Sequence, residues 1–216
     1  MKKNYDTVVF DMDGTVMNTL HDLQDSVNFV LDFYHYPNIL LSEIGAYMGN
    51  GLEKMFEKCF SDGMNNPLFS EAYEKFITYY MSHCQIKTSP YEGILDLMDA
   101  LKKRNIKMAI VSNKAHDAVI ELNEKFFSNY VSVAIGEKEG IRKKPFPDGV
   151  MEALTLLDSK QKTSIYVGDT EVDRETAQNS NLDCVLVSWG FRNRAFQETL
   201  NASQIIDSPL QLLDLF

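Results

Sequence analysis

Two aspartates one residue apart, Asp11 and Asp13, are followed at once by Gly14 and Thr15. Carboxylates at this spacing can divide a reaction between them, one attacking as a nucleophile while the other gives and takes a proton. Asp11 is read as the nucleophile and Asp13 as the acid/base. Farther along stand Ser112-Asn113, Lys144 within Arg142-Lys143-Lys144-Pro145, and Gly168-Asp169-Thr170 with Asp173 four residues past Asp169. An acid pair, a hydroxyl, a lysine and a second acid pair are the parts needed for phosphoryl transfer. A phosphate monoester dianion is repelled by carboxylates, so a divalent cation must bridge them. Mg²⁺ suits the task because it takes oxygen ligands and keeps several waters. Asp11 and Asp169 are expected to bind it through their side chains and Asp13 through its backbone carbonyl.

Each remaining group has a use in that chemistry. Ser112 and the backbone N–H of Asn113, placed at the start of the following helix, are expected to hold phosphate oxygens. Lys144 would neutralise further charge and keep Asp11 anionic. Gly14 and Thr15 give a tight turn that presents backbone N–H groups to the phosphate. Asp13 would protonate the leaving alkoxide, then take a proton from the water that attacks the aspartyl-phosphate. The transition state is loose, so positioning and charge stabilisation carry most of the catalysis.

These residues need a scaffold that brings them to one rim. Thr7–Phe10 is apolar and β-branched, the composition of a buried strand, and it stops at Asp11. Leu20, Leu23, Val27, Val30 and Leu31 then recur at helical spacing behind Thr19, a candidate N-cap. A short helix is expected to start at 42–44, and others follow at 52–60 and 70–81, with Tyr73, Phe76, Ile77 and Tyr80 on one face of the last. Gly49-Asn50-Gly51 and the loop 62–67 separate them, and no strand is expected in 16–88. From Pro90 the rhythm changes. Helices at 93–103, 117–127, 148–157 and 171–181 alternate with strands at 107–111, 130–135, 164–167 and 183–187. That alternation predicts a doubly wound α/β core with a parallel sheet, formed by 1–15 and 89–216, with a helical insertion over 16–88. In such sheets ligands bind beyond the carboxyl ends of the strands, where most of the chemical groups fall.

Composition narrows the function classes. The chain has 216 residues, 44% of them hydrophobic, and a formal net charge of −10. It can bury a real core, and its charge disfavours nucleic acid or an anionic membrane as partner. Cys59, Cys84 and Cys184 lack metal or disulfide spacing, as do His21, His35, His83 and His116 for a metal site. Lys2 and Lys3 precede too few apolar residues for a signal peptide, and no run approaches a membrane span. The expectation is a cytoplasmic monomer or homodimer acting on a small-molecule phosphate ester.

The motifs Asp11-Met12-Asp13-Gly14-Thr15, Ser112-Asn113, Lys144-Pro145 and Gly168–Asp173 resemble the haloacid dehalogenase superfamily. That resemblance implies the roles given above and adds Asp173 as an acid that supports or binds the metal. It also implies that 16–88 is a helical cap, with hinges near 16–19 and 87–91. Met48–Leu52, Lys144–Asp148 and Val187–Phe191 further resemble phosphoglycolate phosphatases, with Val16, Asn18 and Thr19 departing from the usual leucine, acid and serine. Asn50 and Lys54, with the amides of the Gly49–Gly51 loop, are candidates to meet a substrate carboxylate.

Sister chemistries can be weighed on residues. The presence of Asp13 argues against dehalogenation and C–P cleavage, neither of which protonates an alkoxide. A phosphonate-cleaving relative would also need a cap lysine such as Lys54 or Lys58 as a Schiff base. The first arginine is Arg104, so the insertion lacks the one that a sugar-phosphate mutase uses for its second phosphate. The leading expectation is a Mg²⁺-dependent phosphatase acting on phosphoglycolate. Pyrophosphate or a nucleotide or sugar monophosphate stands second, and a scaffold without turnover last.

Overall fold

A computed structural model describes residues 4–49 and 51–216. The chain begins with β1 (Thr7–Phe10), buried at every position. It turns through β2 (Met17–Asn18) into four helices: α1 (Leu20–Phe33), α2 (Leu41–Tyr47), α3 (Leu52–Cys59) and α4 (Phe69–His83). It returns through β3 (Ser89–Pro90), which pairs with β2. There follow α5 (Ile94–Lys103), β4 (Lys107–Ala115), α6 (His116–Phe126), β5 (Val133–Glu137) and α7 (Asp148–Leu156). The chain closes with β6 (Ser164–Gly168), α8 (Glu171–Asn179), β7 (Asp183–Val187), α9 (Arg194–Glu198), β8 (Gln204–Ile206) and a 3₁₀ segment, Pro209–Leu215.

Six strands form one sheet in the order β5-β4-β1-β6-β7-β8, all neighbours parallel. The doubly wound α/β core expected from the alternating pattern is therefore present. β1 lies inside it, with Thr7 opposite Lys107 on one side and Ser164 on the other. Val8 and Phe10 enter the core beneath α5 with Ile94, Leu97 and Leu101, while Val9 enters the opposite core with Val150, Ala153 and Tyr166. Burial on both faces explains why β1 reads as an unbroken apolar run rather than an alternating one. Strand order reverses at β1, so its carboxyl end, where Asp11 emerges, is the switch point of the sheet.

The chain divides into two compact units, Met1–Met17 with Pro90–Phe216, and Asn18–Ser89. The second is helical, and its core is strongly aromatic. Phe56 stacks on Phe76 at 4.9 Å between centroids, and Phe76 on Tyr80 at 5.7 Å. Stacking at these separations adds to area burial. The unit's two chain ends are tied by one buried side chain. Asp22 accepts the backbone N–H of Lys87 at 2.9 and 3.0 Å and that of Thr88 at 2.8 Å.

Several local expectations need correction. Residues 16–88 do contain a strand, because β2 is completed by pairing with β3, a partner 70 residues away that local pattern cannot reveal. The 62–67 loop contains a 3₁₀ turn, Gly63–Asn65, entered by Asp62 at φ 61°. Asn66 closes it by donating to the Ser61 carbonyl and accepting from the Leu68 N–H, a local turn of the kind asparagine favours. Thr19 occupies the N-cap position of α1, but its buried hydroxyl has no partner among the described residues. Its φ of −112° and ψ of −1° leave the extended region that N-cap bonding requires. Strand β4 runs four residues beyond Val111, so Ser112 and Asn113 lie in a strand and not at a helix start. The register against β5 shifts between Val111 and Ala115, and that irregularity re-aims the side chains there. Among the described residues no helix is long and apolar enough to cross a membrane.

Removing the Asp22 carboxylate strands two backbone donors. Asp22→Ala is expected to lower unfolding free energy by about 2–3 kcal/mol. Urea denaturation checks this, and a loss below about 0.5 kcal/mol would mean that water replaces the carboxylate.

Candidate active site

The turn after β1 is wound around one carbonyl. Met12 O accepts the N–H groups of Thr15, Val16 and Met17 at 3.3, 3.0 and 2.9 Å, and Gly14 N–H donates to Met17 O at 2.9 Å. Gly14 sits at φ +87°, and a Cβ there would lie 2.5 Å from Oδ2 of Asp169. Only glycine meets both conditions. The winding fixes Asp11 and Asp13 on either side of Met12 and places Thr15 beside the carboxyl end of β6, where its Oγ1 donates to Asp169 Oδ1 at 3.3 Å.

Lys144 draws the acids together. Its ammonium donates to Asp11 Oδ1 at 2.6 Å, Asp173 Oδ1 at 2.7 Å and the Tyr166 hydroxyl at 3.2 Å. The loop that carries it is clamped by Asn113, whose Oδ1 accepts Lys144 N–H at 2.7 Å and whose Nδ2 donates to Lys144 O at 3.1 Å. The Lys144–Pro145 peptide is cis. Thus the described structure gives the Asn113 side chain a scaffold role that the sequence reading did not foresee.

Asp11, Asp169 and Asp173 offer carboxylate oxygens within 4.8 Å of one another, all from buried residues. They are not equivalent. Asp173 is the N3 member of a capping box with Thr170 at the start of α8. One of its oxygens accepts Lys144 and Tyr166, and the other accepts Asp169 N–H, Thr170 N–H and the Thr170 hydroxyl. Both oxygens are committed to protein donors. Asp169 accepts Phe191 N–H at 2.6 Å on Oδ2 and Thr15 on Oδ1. An all-oxygen donor set of buried acids, two of them lightly engaged, fits a hard divalent cation such as Mg²⁺.

The electrostatics say the same. Burial, then the charge of Asp173, pushes Asp11 up to about 7 against the opposing pull of Lys144. Burial, then Asp173 and Asp11, carries Asp169 well above its ordinary value. Burial would also raise Asp173, but the Lys144 charge and the Lys144 and Thr170 hydrogen bonds outweigh it and hold this carboxyl low. Burial disfavours the Lys144 cation, yet Asp11 and Asp173 overcome it and raise its pKa well above normal. These buried acids outnumber the one ammonium among them, which leaves the cluster short of positive charge.

The other expected residues are placed as follows. Ser112 is buried at the same rim, and its Oγ accepts Lys114 N–H at 3.2 Å. Lys54 lies on α3 in the helical unit with half of its side chain exposed (54%) and pairs with Glu57 at 2.8 Å. Gly49 and Gly51 both have positive φ, 122° and 90°. Asn50 lies outside the described residues.

Further residues stand beside these acids, among them Trp189 and Gly190 of the Val187–Phe191 stretch that the sequence had already marked. Lys114 Nζ lies 3.2 Å from Asp13 Oδ1. Gln197 is fully buried and donates to Asp169 O at 2.9 Å and Val187 O at 2.8 Å. Trp189 Nε1 donates to Thr15 O at 3.0 Å. Arg192 grips Glu171 through two bonds of 2.8 and 2.7 Å. A Cβ on Gly190 would strike Asp169 and the Gly14 carbonyl. That glycine marks in the sequence how closely this loop approaches.

Known proteins of similar sequence and structure were found. A model of the haloacid dehalogenase-like hydrolase family matches residues 8–187. The pyrophosphatase PpaX of Bacillus mycoides is 29% identical over 218 residues, covering 97% of this chain and 95% of its own. A phosphoglycolate phosphatase of Aquifex aeolicus is 28% identical over 85% of each chain. A crystal structure from Lactobacillus delbrueckii subsp. bulgaricus, provisionally assigned as a phosphoglycolate phosphatase, superposes with a TM-score of 0.90 at 33% identity. That match covers 97% of both chains.

The raised carboxyls set a pH dependence for the metal-free protein. Asp11 and Asp169 hold protons more tightly when folded than when unfolded. Their contribution to stability is present in full below the ordinary value of 3.8 and is lost as pH rises toward about 7. Carboxyls held low, such as Asp173 and Glu171, act only below about pH 4.5. In EDTA the melting temperature is therefore expected to fall between pH 4.5 and about 7. Asp11→Asn should flatten part of that slope. Melting curves across this range provide the check, and a level profile would remove burial of these acids as its origin.

Proposed function

This chain belongs to the haloacid dehalogenase-like hydrolases and is a phosphatase of that family, and from that premise we propose that it hydrolyses a small phosphate monoester through an aspartyl-phosphate on Asp11. The observation that carries this reading is the buried contact of Lys144 with Asp11 beside Asp169. It makes one carboxylate a shielded nucleophile and leaves another to hold a cation. Asp11 and Asp169 would bind Mg²⁺ through side-chain oxygens, with the Asp13 carbonyl as a further ligand and Asp173 supporting from behind. When bound, Mg²⁺ supplies charge neutralisation between the acids and the phosphate dianion.

The residues of the chain divide the remaining work. Asp11 Oδ attacks phosphorus while Asp13 gives its proton to the departing oxygen. Asp13 then takes a proton from the water that cleaves the acyl phosphate, which returns both acids to their starting state. Ser112 Oγ would hold a phosphate oxygen, and Lys144 favours the ionised form of Asp11. The N–H groups of Gly14 and Thr15, expected to meet the phosphate, are instead used inside the turn, on Met17 O and Met12 O. Asn113 acts through its side chain, by fixing the loop that carries Lys144. The inserted helical unit is read as the cap, with Asn50 and Lys54 as its candidate substrate contacts.

Phosphoglycolate is the leading substrate, supported by the likeness to the Aquifex and Lactobacillus proteins. Pyrophosphate is the second, favoured by the near full-length likeness to PpaX. A cytoplasmic setting and a monomer or homodimer complete the reading.

With p-nitrophenyl phosphate and Mg²⁺, turnover is expected to stop in EDTA and return when Mg²⁺ is restored. Asp11→Asn should lose about 10³-fold or more in kcat. Full activity of that variant, or turnover indifferent to EDTA, would sink the mechanism. Asp13→Asn should lose about 10²–10⁴-fold on alkyl esters, whose leaving groups need a proton. The loss on p-nitrophenyl phosphate should be smaller, and equal losses on both would deny Asp13 its acid role. A kcat/KM comparison of phosphoglycolate, pyrophosphate and sugar phosphates ranks the substrates.

A further inference from the structure

Two lysines reach the acids of this site, and they serve different ones. Lys144 spans Asp11 and Asp173. Lys114 lies against Asp13, 3.2 Å from Oδ1, with its side chain 7% exposed and that of Asp13 12%. The backbone that carries Lys114 is fixed from two sides. Its N–H donates to Ser112 Oγ, and Gly136 of β5 approaches so closely that a Cβ would lie 2.6 Å from the Lys114 carbonyl. The register shift in β4 gives this stretch its course. A nearly buried ammonium on a fixed backbone, beside the acid that serves the leaving group, is a poor candidate for a merely solvated lysine.

We propose that Lys114 binds an anionic group on the leaving half of the substrate and thereby selects phosphate esters whose leaving group is negatively charged. The inference rests on the reading of Asp13 as the proton donor to the departing oxygen. For that transfer the oxygen must come within hydrogen-bond reach of the Asp13 carboxyl. At Oδ1, the oxygen that Lys114 faces, it then lies within about 6 Å of the ammonium. A carboxylate one carbon beyond that oxygen, or a second phosphate attached directly to it, spans the gap. A neutral alcohol leaves it unfilled. An anion brought here without a cation would also face the carboxylates of Asp13, Asp11 and Asp169. An ammonium is compact and has three donors, so it can hold Asp13 and a substrate anion at once. Phosphoglycolate and pyrophosphate share this property, and most sugar and alcohol monophosphates lack it next to the ester oxygen.

The test compares phosphoglycolate with its amide, 2-phosphoglycolamide, which has nearly the same shape and a neutral leaving group. Wild type, Lys114→Gln and Lys114→Arg are assayed at saturating Mg²⁺, and kcat/KM is taken as the ratio of acid to amide. Wild type should favour the acid. In Lys114→Gln the ratio should fall about 10–100-fold, the usual worth of a hydrogen bond to a charged group, and Lys114→Arg should keep most of it. A ratio unchanged in Lys114→Gln, with both rates reduced together, would mean that Lys114 only positions Asp13 and would overturn the proposal. Inhibition of wild type by glycolate and glycolamide reads the same preference without any variant. Weaker inhibition by glycolate would count against the anion site. Failure of wild type to cleave any phosphate ester would defeat the parent reading, whereas cleavage of both esters with an unshifted ratio defeats only this one.

Discussion

The hydrogen bonds of Lys144 to Asp11 and Asp173 are the constraint on which the site depends. A buried carboxylate without a partner costs several kcal/mol, and several acids converge beyond the ends of β1 and β6. One ammonium at 2.6 and 2.7 Å from two of them makes that convergence tolerable. It does not make it neutral, because one ammonium faces two carboxylates and Asp169 stands beside them. The protein therefore holds Asp11 against an ammonium and still keeps a deficit of positive charge beside it, and both conditions follow from the placement of one lysine.

Placing that lysine takes a chain of secondary contacts. Asn113 grips the backbone of Lys144 on both its N–H and its carbonyl. Asp173 is anchored by Thr170 and by the first amides of α8, so the helix N-terminus and the site share one carboxylate. On the far side of Asp169, Gln197, Phe191 and Trp189 bind the Asp169 carbonyl, the Asp169 carboxylate and the Thr15 carbonyl respectively. The turn after β1 is thus held from the loop that follows β7, and Gly14 and Gly190, like Gly168 beside Asp173, are points where backbone must pass close to a carboxylate.

The sheet and the four core motifs were legible because their signals are carried by residue type. A strand buried on both faces reads as TVVF, and an acid, hydroxyl or lysine just past such a strand stands out. The reach of β4 was hidden because a register shift has no composition of its own, and Ser112 and Asn113 were therefore assigned to the wrong element. The tasks of Asn113, Tyr166 and Gln197 were hidden for another reason. Their partners are backbone atoms or acids on other loops, and nothing in the neighbouring sequence marks a side chain destined for a distant carbonyl. Lys114 was passed over because a lysine at the end of a strand usually meets water. Segments beyond Phe191 showed too little periodicity to be read, although they supply Gln197 and the edge strand β8. Composition in the helical unit made its core legible, but the pairing of β2 with β3 spans the whole insertion.

The position of β1 also bears on the order in which the molecule is made. Its four residues are synthesised well before their sheet neighbours, which begin at Lys107 and Ser164. The helical unit between them is contiguous in sequence and has a core of its own. It can collapse through local contacts while β1 is still without partners, and contacts this distant in sequence form late because loop closure must come first. The strand that carries Asp11 is thus made before its partners and completed only when they arrive. During that interval its apolar edges need protection from other chains. An insertion placed directly after the first strand postpones assembly of the reactive end until almost everything that will enclose it has been made.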